Sequence, residues 1–143
     1  QKLGALLRFE TTLGPALTEI TILLCARHWT SHHEWTAHSR LALDAGVSAE
    51  AIAEIAAGGQ PRFAEEREQM AYEIASALLA GGQIPQPLDE PGTACLGEQG
   101  MVELVATVGY YCLVSLTLNA FEIGLPEGFA PELGEPASGP AGR

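Results

Sequence analysis

Apolar residues recur along most of the chain at the three- and four-residue intervals of helices, and no stretch keeps the alternation of a half-buried strand. From Pro15 to about Trp29 the pattern is apolar almost all round, through Leu17, Ile20, Ile22, Leu23, Leu24, Cys25 and Ala26. Such a helix lies centrally or at a subunit interface. Gly14-Pro15 starts it with proline at the first helical position. A second helix, capped by Thr30 or Ser31, runs through Ala45, with Gly46 placed for a left-handed cap. Its core-facing stripe reads Trp35, His38, Leu41, Ala42, Ala45. Ser48 caps a third, short helix from Ala49 to about Ala57, and Gly58-Gly59-Gln60-Pro61 breaks it. Arg62 to Ala80 predicts a fourth, with Met70, Ile74, Ala77 and Leu78 toward the core and the charge run Glu65 to Glu68 on a solvated face.

Gly81 to Gly92 is rich in glycine and proline and reads as a loop, with Asp89 or Thr93 opening a short helix at most. Glu98 to Ile123 reads as one long helix with a broad apolar side of Val102, Val105, Ala106, Gly109, Cys112, Leu113 and Leu116. Residues 3 to 9 form a short amphipathic segment. The expected fold is therefore all-α, a bundle of five to six helices over residues 1–124. A Pro/Gly-rich tail, 125–143, is expected to be extended or disordered, or to wrap a neighbouring subunit. No phosphate loop or tandem repeat is evident.

With 143 residues the chain is most simply one domain. Its 47% hydrophobic but 6% aromatic content implies a core of Ala, Leu, Ile and Val. A formal charge of -11 argues against a nucleic-acid backbone or an anionic membrane as partner. A small anionic molecule stays compatible, because Arg8, Arg27, Arg40, Arg62 and Arg67 can make a pocket locally basic. Cys25, Cys95 and Cys112 are far apart and odd in number, with no Cys-x-x-Cys, so a disulfide framework, zinc ribbon and dithiol motif are all unsupported. A reduced, cytoplasmic setting follows as the expectation. No charged-then-apolar signal segment opens these residues, and no uninterrupted apolar run is long enough for a membrane span.

The chemistry gathers in Ser31-His32-His33-Glu34-Trp35-Thr36-Ala37-His38, which holds three of the four histidines. Glu34 and His38 lie four apart and share a helix face. An imidazole on a mostly apolar face beside a carboxylate is either a hydrogen-bonded core residue or a proton donor and acceptor tuned near neutral pH. Glu19, twelve residues before Ser31, is likewise either a first-turn carboxylate favoured by the helix dipole or a functional group. Trp35 is a core aromatic or an apolar wall for a ligand. His28 and His32, four apart, together with His33, His38, Glu19 and Glu34, offer ligands for a divalent metal. No recognised metal spacing such as His-Glu-x-x-His occurs, however, and neither metal nor cofactor is expected.

A Glu in an apolar helix, then Ser-x-His-Glu-Trp-x-x-His, then Leu-Ala-Leu-Asp-Ala-Gly-Val-Ser, resembles the carboxymuconolactone decarboxylase and alkyl hydroperoxidase D superfamily. Gly-Tyr-Tyr at 109–111 and Asn119-Ala120-Phe121 are similar to it as well. On this resemblance the family Glu falls on Glu19, the two family cysteines on Ser31 and Glu34, and the two family histidines on His33 and His38. Both thiols are absent, so the thiol-peroxidase branch is disfavoured: Ser31 and Glu34 cannot attack and resolve an O–O bond. The decarboxylase branch implies acid-base chemistry on a small carboxylated lactone or related enolisable acid. His38 is then the general acid/base, with Glu34 or Glu19 holding its tautomer and His33 assisting the enolate. Arg27 or Arg40 anchors the substrate carboxylate, with Trp35 and Ser31 beside it. The family also implies a homotrimer or homohexamer. Isomerisation, elimination, hydrolysis, or ligand binding without turnover are the alternatives.

Overall fold

The computed structural model describes residues 2–134. Among them are six α-helices and no strand: α1 (Lys2–Phe9), α2 (Pro15–His28), α3 (His32–Asp44), α4 (Ala49–Ala56), α5 (Glu66–Gly81) and α6 (Gln86–Ala120). The all-α reading holds.

Helix α2 is the axis of the bundle. It packs on α1, α3, α4, α5 and α6, as its all-round apolar surface requires. Ile20, Ile22, Leu23, Cys25 and Ala26 are fully buried, and each large aliphatic among them contributes about 1.5–3 kcal/mol through burial. Thr21 donates its hydroxyl to the Leu17 carbonyl, and Thr18 does the same to Gly14, so neither places an unmatched polar group in the core. One cluster joins α2 to α3 and α4 through Ile20, Leu23, Trp35, Ala42 and Ile55. A second joins it to α5 and α6 through Leu17, Ile74 and Leu104. Residues 125–134 carry no helix, yet Leu133 is 5% exposed and belongs to the α2–α3–α4 cluster, so the core continues past residue 124. Residues 135–143, the rest of the expected tail, lie outside the described residues.

Four helices end in the same way. After α3, Gly46 donates to Leu43 and Val47 to Ala42; after α4, Gly58 donates to Ile55 and Gly59 to Glu54. These are Schellman caps, which need a left-handed residue just past the helix, and Gly46 (φ 94°) and Gly58 (φ 71°) supply it. The ends of α2 and α6 repeat the pairing, Thr30 to Arg27 with Ser31 to Ala26, and Glu122 to Asn119 with Ile123 to Leu118. There the left-handed residues are Thr30 (φ 48°) and Glu122 (φ 50°). A β-branched residue in this conformation is strained. The strain falls directly before Ser31, and Asn119 Nδ2 ties the two ends together by donating to the Trp29 carbonyl at 2.7 Å.

Two boundaries and one buried face differ from the sequence reading. Helix α5 begins at Glu66, not Arg62, and residues 62–65 run outside the helix, with the Phe63 amide donating to the Gln69 side chain. The expected loop from Gly81 to Gly92 is short: helix resumes at Gln86 and breaks only at Gly97 (φ 77°, ψ 161°), where α6 divides into 86–96 and 98–120. The prolines misled because Pro87 occupies the first turn, where a missing N–H costs nothing, and Pro91 removes only one helical bond. Gly92 serves packing instead of turning: a Cβ there would come 2.7 Å from Ile74 Cδ1. Leu41, expected on the buried stripe of α3, is partly exposed, and the buried face is Glu34, Trp35, His38, Ala42.

The two cap types make opposite predictions. A Cβ on Gly46 meets nothing within 4 Å, so Gly46→Ala changes only the backbone term and is expected to destabilise by about 1 kcal/mol. Thr30→Gly relieves the same term and is expected to raise the thermal midpoint or leave it level. Urea unfolding of both variants checks this. Equal losses in the two would contradict it.

Candidate acid-base site

The site is assembled where α2, α3 and α6 meet. Glu19 comes from the second turn of α2, beyond the reach of the helix dipole, which removes the first-turn reading of this carboxylate. Its Oε2 lies 2.7 Å from His38 Nδ1. Glu34, one turn before His38 on α3, places Oε2 3.6 Å from His38 Nε2. The first is a short hydrogen bond; the second is an ion-pair separation, longer than a hydrogen bond. Glu19 and His38 are each 6% exposed and Glu34 7%. An imidazole is thus held between two buried carboxylates.

Because a carboxylate can only accept, the Nδ1–H of neutral His38 points at Glu19, and Nε2 is left as the basic atom facing Glu34. Burial pushes the Glu34 carboxyl above the ordinary range, against the opposing pull of His38, His33 and Arg8; Glu19 adds to the rise. A carboxyl that holds its proton more tightly than usual, beside an imidazole nitrogen, is suited to exchange a proton with it. The Tyr111 ring stands edge-on to the His38 ring, with centroids 5.5 Å apart. Burial drives its phenol well above the usual value, partly offset by Arg8, so Tyr111 remains a protonated hydrogen-bond donor.

Around this pair the expected residues divide. His33 is half-buried and donates Nδ1–H to the Gly124 carbonyl at 3.0 Å. With His32, Leu118, Asn119, Ile123 and Pro131 it lines a cavity of about 420 Å³ between the start of α3 and the end of α6. Ser31 is fully buried, and its hydroxyl makes no hydrogen bond among the described residues, although its backbone caps α3. Trp35 faces α4 and donates Nε1–H to Glu132 at 3.2 Å; it is core, away from His33. Arg27 lines a different cavity with Tyr72 and Ser76. Arg40 is exposed, and lies about 200° around the helix from His38. The cation whose charge acts on Glu34 and Tyr111 is Arg8 of α1. The cavity lined by His33 does not have His38 among its lining residues. Among the described residues no group of three His, Cys, Asp or Glu side chains is arranged to hold a metal ion.

The sequence offers Arg8 only as one of five arginines and Tyr111 only within Gly-Tyr-Tyr, with no role at the site for either. The signal for Tyr111 was present: it continues the buried stripe Leu104, Val108, Tyr111, Ser115 of α6, a phenol on an apolar face. Nothing local marks Arg8. No protein-family model matches the chain, no curated protein matches its sequence, and no solved structure matches its fold.

The raised carboxyl makes stability pH-dependent. The folded protein holds the Glu34 proton more tightly than the unfolded chain, so this group's contribution is full below the unfolded value and is lost as pH rises through the folded one. Glu34→Gln, which never ionises, is therefore expected to gain on the wild type as pH rises above about 4.5. Thermal midpoints of the two proteins across pH 4 to 8 check this; parallel curves would contradict it.

Proposed function

We propose that the chain is an acid-base enzyme of carboxymuconolactone decarboxylase type, acting on a small carboxylated lactone or related enolisable acid. The observation that carries this reading is His38 held between Glu19 and Glu34, with one imidazole nitrogen committed and the other free. Glu19 orients the ring. His38 Nε2 and Glu34 exchange the proton. His33 lies close enough to Glu34 to pull on its charge and opens on the cavity, which links the buried pair to a place where a substrate of this size fits.

In the proposed reaction the bond between the substrate's carbon and its carboxylate breaks, and its electron pair moves onto the conjugated carbonyl oxygen as an enolate while CO2 leaves. The enolate is stabilised by His33 in its imidazolium form, whose Nε2–H is the donor left once Nδ1–H is given to Gly124. The Glu34–His38 pair then delivers a proton to carbon. Arg8 is the cation best placed to balance the added negative charge, ahead of Arg27 and Arg40. Isomerisation would use the same proton transfer without loss of CO2.

A homo-oligomer, as the resemblance implies, is part of this proposal. Its support is the apolar stripe on α6, where Val102 is 70% and Leu113 61% exposed, with Val105 and Leu116 between and beyond them. The same helix is long and apolar enough to cross a membrane by composition, but its other face is buried against α2 and α5. A non-catalytic small-molecule-binding oligomer is the second reading, favoured by a cavity of about 420 Å³ that is lined by His32 and His33 and not by His38.

Carboxymuconolactone and several β-keto acids incubated in deuterated water and followed by NMR are expected to release CO2 and take up deuterium at the former carboxyl-bearing carbon. His38→Asn keeps a donor for Glu19 and is expected to lower turnover roughly 10²–10⁴-fold with the helical circular dichroism retained. Thermal stabilisation by a panel compound with no product or exchange would favour the binding reading.

A further inference from the structure

Cys25 and Cys112, distant in sequence, meet where α2 crosses α6. Cys25 is fully buried in the cluster that also holds Ile22, Ala75, Val108 and Tyr111, and Cys112 packs half-buried on the same cluster. The Cys25 sulfur lies 3.7 Å from the Val108 carbonyl. Val108 is one turn before Cys112, and a helical Cβ leans back over the preceding turn, so the Cys112 side chain lies over the place where the Cys25 sulfur sits. The two sulfurs are near enough for each to shift the other's proton affinity. Trp29, the residue that caps α2 one turn after Cys25, also acts on the Cys112 sulfur.

The roles of the two sulfurs separate. The neighbouring Cys25 and Trp29 outweigh burial at Cys112 and draw its thiol down to about 6. The Cys112 sulfur and burial hold Cys25 well above the ordinary value, and the Glu34 charge adds to this. The hydrophobic residues that α5 adds to the cluster are Ala75, Leu78 and Leu79. The partly exposed Cys112 sulfur gives up its proton the more readily, and Cys25 is the sheltered one. Cys95, the third cysteine, is elsewhere, packed with Leu13, Leu17 and Met101, and burial raises its pKa.

We propose that Cys25 and Cys112 are a redox-active dithiol that small-molecule disulfides oxidise to an intramolecular disulfide joining α2 to α6, with Cys112 the attacking sulfur and Cys25 the resolving one. In the first step the Cys112 thiolate attacks one sulfur of the small disulfide RS–SR, forming Cys112–S–SR and releasing RS⁻. In the second, the Cys25 sulfur attacks the Cys112 sulfur of the mixed disulfide and its proton passes to the departing RS⁻. RSH leaves and the protein disulfide remains: two thiols are oxidised and one small disulfide is reduced to two thiol equivalents. This goes beyond the acid-base reading and is independent of whether that reading holds.

The test uses the native full chain and 4,4'-dithiodipyridine as the small disulfide, with intact-mass and peptide-map readout. With one equivalent of the reagent the wild type is expected to reach the mass of the chain less two hydrogen atoms, with the peptides bearing Cys25 and Cys112 cross-linked and Cys95 outside the cross-link. Dithiothreitol restores the starting mass. Cys25→Ser is expected to stop at a stable adduct on Cys112. At pH 6 the Cys112 reaction is expected to run about tenfold faster than that of Cys95, because its thiolate fraction more than offsets its lower intrinsic nucleophilicity. A wild-type protein that keeps a stable adduct on Cys112, cross-links Cys95 instead, or reacts first at Cys95 would overturn the proposal. The wild-type mass decides the matter even where a variant fails to fold.

Discussion

A carboxylate in the middle of an all-round apolar helix has to be matched, and the pairing of Glu19 with His38 is how this fold matches it. Removing one partner of a buried charged pair typically costs about 3–5 kcal/mol. The 2.7 Å contact therefore sets how α3 lies on α2. It also turns the imidazole so that its second nitrogen faces Glu34, on the same helix and buried with it. Other features can be traced to this constraint. α3 must start close to the end of α2, and a strained Schellman cap at Thr30 makes the two-residue reversal. Asn119 secures that reversal from α6. Strain of this kind persists only where surrounding contacts over-determine it, and here it borders the histidine cluster.

Much of the helical framework was legible because it rests on local chemistry. Pro15 at a first turn, Ser48 accepting from the Ala51 amide, and Gly46 and Gly58 past helix ends are signals of residue type and position, and each sits where the sequence placed it. The start of the long C-terminal helix at Glu98 was legible from its apolar pattern, and Gly97 is the physical break before it. Residues 86–96 were misread because proline and glycine carry two meanings. Pro87 begins a helix, and Gly92 lets Ile74 and Met101 approach, so neither marks a loop.

The candidate site was legible along the chain but not across it. The i, i+4 spacing of Glu34 and His38 already put a carboxylate beside an imidazole, and the resemblance added Glu19. Arg8, Tyr111 and the Cys25–Cys112 contact depend on how α1 and α6 dock against α2, which no local pattern reports. The arginines expected to serve the site, Arg27 and Arg40, point elsewhere because helical geometry sends residues two positions from His38 to the far side and because Arg27 looks toward α5. The pairing of distant cysteines shows the same limit of reading along the chain: an odd number with no Cys-x-x-Cys excludes a sequence motif, yet packing brings two of the three together.

Proton exchange at this site depends on which nitrogen of His38 carries the proton, since only an Nδ1–H tautomer leaves Nε2 free to trade a proton with Glu34. Two-dimensional ¹H–¹⁵N NMR of the histidine side chains, in the wild type and in Glu19→Gln, measures this directly. The neutral form of His38 is expected to be protonated at Nδ1 with a strongly hydrogen-bonded proton, and Glu19→Gln to weaken that bond and shift the tautomer balance. Nε2–H as the dominant neutral form in the wild type, unchanged by Glu19→Gln, would contradict it.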